Sequence, residues 1–224
     1  MSFSVSSRGR LTGHDVGRFP GDTLFSRLGR AVCSAGCLPR KELFEAWHIA
    51  RRVRRLFRGG RVVDLGAGHG LLGAIMLILD DSSASALAVD RGFPSSTATL
   101  HAALIDAWPR LEGRITFERA SLDEVDINAG DVVVASHACG SLTDCVLGGA
   151  AAARARVAVL TCCHHFAAGD AGGLSGWIDR AVAIDVVRAM RLRQQGYRVW
   201  TQTIPPAITP MNRLLLGAPG VDEP

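Results

Sequence analysis

The stretch Val62-Val63-Asp64-Leu65-Gly66-Ala67-Gly68-His69-Gly70 constrains this chain more than any other. A β-branched pair leads into an acid and glycines follow at alternate positions; Leu71-Leu72 and Ala74-Ile75-Met76-Leu77 then continue as an apolar helix that has to be buried. The pattern predicts a central parallel strand that turns sharply into a helix. Gly66, Gly68 and Gly70 admit backbone angles closed to other residues and let the main chain approach a ligand at the carboxyl edge of a sheet, where open α/β sheets bind nucleotides.

Two acids decide which nucleotide. A dinucleotide loop needs G-x-G-x-x-G, with its third glycine where Leu71 stands, and wraps a pyrophosphate on the helix N-terminus. This chain has G-x-G-x-G. Asp64 at the strand end would repel a pyrophosphate, but it can accept a hydrogen bond from S-adenosylmethionine (SAM) or compensate the positive charge of its amino-acid part. A second apolar run, Ala86-Leu87-Ala88-Val89, ends in Asp90, which can take both ribose hydroxyls. A surface turn for the glycines and a helix N-cap for Asp90 are the readings without a ligand. Loop, buried helix and strand-end acid together favour a cofactor.

The run D-L-G-A-G-H-G followed by the strand-end Asp90 resembles the first two motifs of the class I SAM-dependent methyltransferases, over about residues 58 to 217. The resemblance implies an α/β, Rossmann-like, seven-stranded and mostly parallel sheet with helices on both faces. Its last strand would be antiparallel and inserted between its predecessor and the fifth. It also implies that Asp64, Gly66, Ala67, Gly68, Gly70, Asp90 and, after the third strand, Ser121 and Leu122 hold the cofactor.

The rest of the chain keeps the alternation such a sheet requires. A basic helix at about 40 to 58 precedes strands at 61 to 65, 86 to 90, 114 to 119, 131 to 136 and 156 to 161. Helices are expected at 70 to 80, 95 to 107, 141 to 153 and 178 to 195, the last stopped by Gly196, with closing strands at 197 to 204 and 214 to 217. Residues 1–58 are expected as a basic helical extension and 59–224 as the methyltransferase domain.

The formal charge of +4 hides an asymmetry: residues 1 to 61 hold thirteen Lys and Arg against four Asp and Glu, so this part carries +9 and the remainder −5. Arg51, Arg52, Arg54 and Arg55 form the densest cluster and could neutralise RNA phosphates. Alternatively they are the solvated face of a helix whose Leu43, Trp47, Ala50, Val53 and Phe57 face inward. The first thirty residues, rich in Ser, Arg and Gly, read as a frayed terminus or a transit-like leader. The longest apolar stretch, Leu71 to Leu79, is too short to span a bilayer, and six cysteines in a chain of this length suggest a reducing compartment. A protein of the bacterial cytoplasm is expected, with no membrane partner.

A second polar site is expected where the fourth and fifth strands end. Asp131 to Ala135 delivers Ser136-His137-Ala138-Cys139-Gly140-Ser141-Leu142-Thr143-Asp144 to the carboxyl edge, and Val157 to Leu160 delivers Thr161-Cys162-Cys163-His164-His165. Methyl transfer requires the acceptor to be positioned and its proton removed, and histidine titrates in a range suited to that task. His137 or His164 is the candidate base, with Asp144 fixing an imidazole or capping the following helix. Cys162 or Cys163 as a nucleophile toward a pyrimidine ring, and zinc on His137, Cys139, Cys163 and His164, are the competing chemistries; no metal is the expectation. H-A-C-G-S-L-T-D with C-C-H-H resembles the paired signatures of the eukaryotic acceptor-stem tRNA 2′-O-ribose methyltransferases and related methyltransferase-like proteins, which implies an RNA acceptor. Those enzymes carry a further N-terminal cysteine/histidine zinc region, where this chain has only Cys33 and Cys37. A small-molecule or protein methyltransferase, or a non-catalytic SAM- or RNA-binding scaffold, are the alternatives.

Overall fold

Apolar runs of four or five residues, too short for stable helices, supply the central parallel strands of a single sheet. A computed structural model describes residues 3–161, 164 and 169–220. The strands are β1 (Val62–Leu65), β2 (Ala86–Asp90), β3 (Ile115–Arg119), β4 (Val132–Ala135), β5 (Arg156–Leu160), β6 (Tyr197–Thr203) and β7 (Arg213–Pro219). They lie in the order β3-β2-β1-β4-β5-β7-β6. Strands β1 to β5 pair in parallel, whereas β7 runs antiparallel to both β5 and β6. This is the seven-stranded arrangement expected, with the last strand inserted between its predecessor and the fifth. Strand order reverses between β1 and β4, the switch point at which such sheets hold ligands.

Alternation along the strands divides the core in two. Val62, Val132, Val134 and Ala158 face one layer, and Val63, Val133, Val157 and Val159 the other. The first layer holds α1 (Leu24–Ala35), α2 (Arg40–Leu56), α3 (Leu71–Leu79) and α4 (Thr97–Ala107); the second holds α5 (Ser141–Ala152) and α6 (Arg180–Gln194). Every residue of α3 from Leu71 to Ile78 is buried, so each large side chain there contributes roughly 1.5–3 kcal/mol. No helix among the described residues is long and apolar enough to cross a membrane.

Residues 3–30 are not frayed. Leu11 and Leu28 have no exposed surface, and Phe19 is only 4% exposed. Phe3, Phe19, Phe25, Phe44 and Trp47 stack in a chain of ring contacts 5.0 to 6.4 Å apart, a geometry that adds to the area they bury. Gly29 is needed here, because a Cβ would stand 2.2 Å from the Phe19 ring. The same segment caps α2, whose N-cap residue is Pro39 and has no side-chain cap. The Arg40 and Lys41 amides donate instead to the carbonyls of Gly9 (3.0 Å) and Ser7 (3.0 Å). A backbone bond from Leu11 to Leu38 (2.9 Å) completes the clasp.

The arginines near the end of α2 do not form one surface cluster. Arg54 is 3% exposed: it pairs with Asp80 (3.2 Å) and donates to the Met76 carbonyl (3.1 Å) and to Ser83 (2.8 Å). Burial, with Arg156 and Arg58 nearby, lowers its pKa to about 10 against the opposing pull of Asp80. Arg54 is therefore withdrawn from any phosphate-binding set. It lies next to Val53 and one helical turn beyond Ala50, at the margin of the buried stripe. Arg52 is half-buried and donates to the Thr203 carbonyl (2.9 Å), which leaves Arg51 and Arg55 exposed.

Candidate functional site

The glycine loop is built as its residues demand. Gly66, Gly68 and Gly70 have φ of 69°, 53° and 69°, in the left-handed region that favours glycine. The Gly66 and Ala67 amides both donate to the Val89 carbonyl (2.9 and 3.0 Å), and the Gly68 amide donates to Asp90 Oδ2 (2.9 Å). The loop is thus tied to the end of β2. A Cβ on Gly70 would stand 2.9 Å from the Phe117 ring, whereas one on Gly68 would meet nothing within 4 Å. Gly70 serves packing and Gly68 borders open space.

Asp64 lies beneath this loop, 1% exposed. Its Oδ2 accepts the Gly73 amide (2.9 Å) in the first turn of α3, and its Oδ1 is buried with no partner among the described residues. Burial, reinforced by Asp90 and opposed by the Gly73 amide, raises its pKa to about 7. Asp90 faces outward more, accepting from Gly68 and, at 3.2 Å, from the Gly92 amide. Ser121 and Leu122 follow β3 at the same edge; the Ser121 amide donates to Glu124 (3.0 Å), and Leu122 packs against the second core layer.

A cavity of about 190 Å³ opens over the loop. Ala67, Gly68 and His69 form one wall, Ser136 and His137 a second, and Glu42 and Ala46 of α2 the roof. The first turns of α2 place Glu42 and Ala46 at the cavity, whereas Arg54 near its other end reaches Asp80 and Ser83, which precede β2 at the opposite edge of the sheet. Glu42 and Arg55 are separated by about 20 Å along the helix axis. His101 donates from Nε2 to the His69 carbonyl (2.8 Å), and the His69 ring meets Ser96 Oγ (3.0 Å). The His137 ring is open to solvent on one side, yet surrounding protein and the Lys41 ammonium push its pKa down.

The second polar site contains a hub that the sequence did not reveal. Asp185 of α6 accepts His164 Nε2 (2.8 Å) and Arg188 Nη1 (3.4 Å) on one oxygen, and Thr161 Oγ1 (2.9 Å) and Arg213 Nε (2.7 Å) on the other. Among the described residues Asp144 holds no imidazole, and it does not cap α5, whose N-cap is Gly140. It instead accepts Arg188 Nε (2.9 Å) and Nη2 (2.8 Å). Arg188, 3% exposed, then bridges Asp144 to Asp185. The His164 side chain is 1% exposed, and its Nδ1 has no partner among the described residues. Cys162, Cys163 and His165 lie outside the described residues; among those described, no three His, Cys, Asp or Glu are grouped to hold a metal ion.

Comparison with known proteins decides the family. The sequence pattern of a methyltransferase domain matches residues 47–169, more than half of the chain. This chain belongs to that methyltransferase-domain family. Among curated proteins, no sequence matches it. Solved structures share the fold. The methyltransferase domain of bacterial CtHen1-C is 18% identical with a TM-score of 0.56, over 81% of this chain and all (100%) of that one. A putative RNA methyltransferase from Pyrococcus horikoshii (14% identity, TM-score 0.52) covers 83% of this chain and 87% of its own. A SAM-dependent O-methyltransferase from Thermotoga maritima (14%, 0.52) covers 91% and 73%.

The cofactor of this methyltransferase is SAM, and the loop fits it. Gly68 leaves room for a ligand where any side chain would project into the cavity, and Asp90 stands at the strand end beside it. The unpartnered oxygen of Asp64 adds negative charge beneath the loop. The methyltransferase also has a larger cleft of about 470 Å³ between α6 and the β6–β7 hairpin. Val182, Val186, Ala189, Met190 and Leu215 give it apolar walls, and Thr161, Asp185 and Arg213 form its polar end. Asp185 and Arg188 carried no sequence motif. The nearest signal was the spacing of Asp185 and Arg188 by one helical turn in a helix whose Ala183 and Ile184 are apolar.

Proposed function

We propose that this methyltransferase transfers a methyl group to an oxygen or nitrogen of a small, largely apolar acceptor, with His137 taking the acceptor's proton. The observation that carries this reading is the 470 Å³ cleft, which has apolar walls and one polar end and falls within the range of roughly 300–1,000 Å³ typical of small-molecule sites. Thr161 at that end follows β5, the strand next to β4, which delivers His137 to the cofactor cavity. SAM supplies an electrophilic methyl group when bound. His137, held neutral by its surroundings, has a lone pair available at neutral pH. The role of Asp90, Ser121 and Leu122 is to hold the nucleoside, and that of Gly66 to Gly70 to let the backbone approach it. His164, closed off and fixed by Asp185, serves to keep the polar end of the cleft rigid.

A second reading, RNA as acceptor, draws support from the H-A-C-G-S-L-T-D and C-C-H-H resemblance and from exposed Arg51 and Arg55. The Pyrococcus neighbour is described as a putative RNA methyltransferase. Because Arg51 and Arg55 lie about 14 and 20 Å beyond Glu42 along α2, only an RNA long enough to reach from the cavity to them would engage both. Incubation with labelled SAM and fractionated metabolites, RNA and protein separates the two: label in the metabolite fraction is expected, and label confined to RNA rejects the first reading. His137→Ala should keep SAM binding and lose at least a hundredfold in turnover; unchanged turnover removes His137 from the mechanism.

A further inference from the structure

We propose that Glu42 gives this methyltransferase a charge-based preference for its methyl donor over the demethylated product. Glu42 lines the cofactor cavity together with Gly68, His69 and His137. Its carboxylate has no hydrogen bond or ion pair to any described residue, although it is half-buried. The adjacent lysine does not serve it, because Lys41 Nζ pairs with Glu45 Oε1 at 3.3 Å. Glu45 is itself 2% exposed, and its second oxygen has no partner. Below the cavity, Asp64 adds another buried oxygen without a partner, and Asp90 lies at the strand end.

The charges around this cavity do not balance. Among the described residues Glu42 is the one carboxyl in the lining and no Lys or Arg lines it; the Lys41–Glu45 pair adds no net charge, and Asp64 and Asp90 lie beneath the loop and at the strand end. The histidines facing it, His69, His101 and His137, are all pushed toward their neutral form, chiefly by burial. Burial likewise raises the pKa of Glu42 and Glu45, against the opposing pull of Lys41 on each. A cationic ligand supplies what is missing. SAM carries a sulfonium and an ammonium, whereas S-adenosylhomocysteine keeps only the ammonium; a carboxylate without a partner in the cavity wall would therefore favour the donor.

The inference rests on SAM as cofactor and not on the identity of the acceptor. Calorimetry on the full chain with SAM, S-adenosylhomocysteine and sinefungin, which carries an ammonium at the sulfonium position, tests it. Wild-type protein should bind SAM and sinefungin about tenfold more tightly than S-adenosylhomocysteine, and Glu42→Gln should bring the three within about threefold. Equal loss for all three ligands in Glu42→Gln would place Glu42 on the shared amino-acid part and overturn the proposal, as would an unchanged preference. Should the variant fail to fold, the wild-type comparison decides: no preference for the two charged ligands rejects the role. Wild-type protein that binds none of the three removes the cofactor assignment itself.

Discussion

Replacing Asp64 with asparagine should stabilise the cofactor-free protein above neutral pH while weakening its cofactor site. Asp64 has one oxygen on the Gly73 amide and one with no partner, and its pKa stands near 7, raised from the ordinary 3.8 mainly by burial. Ionising such a group costs the fold roughly 4 kcal/mol. Between the two values the folded chain holds a proton that the unfolded chain has released, so stability falls as pH rises from about 4 to 7. The asparagine carbonyl can keep the Gly73 bond, but its amide takes the unpartnered side at a cost of about 1–3 kcal/mol. The net gain at pH 8 is therefore roughly 1–3 kcal/mol. Urea denaturation of both proteins at pH 5 and pH 8 measures it. Wild-type stability should drop by about 3 kcal/mol more than that of the variant between these pH values. A variant less stable than wild type at pH 8, or a difference independent of pH, would refute the reasoning. Calorimetry should show the variant losing SAM affinity, so that the stabilising change impairs the site.

Other perturbations have equally specific outcomes. Asp185→Ala removes the shared acceptor of Thr161, His164 and Arg213, and should lower unfolding free energy by about 3–5 kcal/mol, with Asp185→Asn recovering part of the loss. Arg54→Ala leaves buried Asp80 with only the exposed Arg58, at 3.7 Å, as an ion-pair partner and should cost up to about 3–5 kcal/mol in a denaturant titration. Arg51→Glu with Arg55→Glu should leave stability within about 0.5 kcal/mol; if RNA is the acceptor, the pair should weaken salt-dependent RNA retention. Gly29→Ala forces a methyl group into the Phe19 ring and should destabilise by about 1–3 kcal/mol, read as a lower melting temperature.

The parallel half of the sheet was legible because each strand is a short apolar run beside a helix-length apolar run, and because Gly66 to Gly70 can be little other than a strand-to-helix turn. The N-terminal packing was hidden because Phe3, Phe19 and Phe25 share no period with Phe44 and Trp47 of α2; the five meet only when α1 and the segment before it fold against α2. Arg54 looks like its neighbours in the sequence, and only its place at the margin of the Ala50–Val53 stripe distinguishes it. Asp144 and Arg188 are 44 positions apart, so their pairing depends on how α5 and α6 pack. Asp185 gathers partners from β5, α6 and β7, a set that no local pattern encodes.

The place of β7 sets the order in which this molecule can be completed during synthesis. Strand β5 leaves the ribosome long before β7, yet its Val157 to Leu160 edge is satisfied only by Leu214 to Gly217. Until then the nascent chain holds an open, apolar strand edge, the kind of surface that recruits other chains. Strand β6 emerges in between and must stand off by one strand width, about 4.8 Å, to leave the slot free. A chain stopped short of Arg213 would therefore lack both the edge closure and one of the two arginines that neutralise Asp185, which makes truncated forms candidates for aggregation rather than for partial activity.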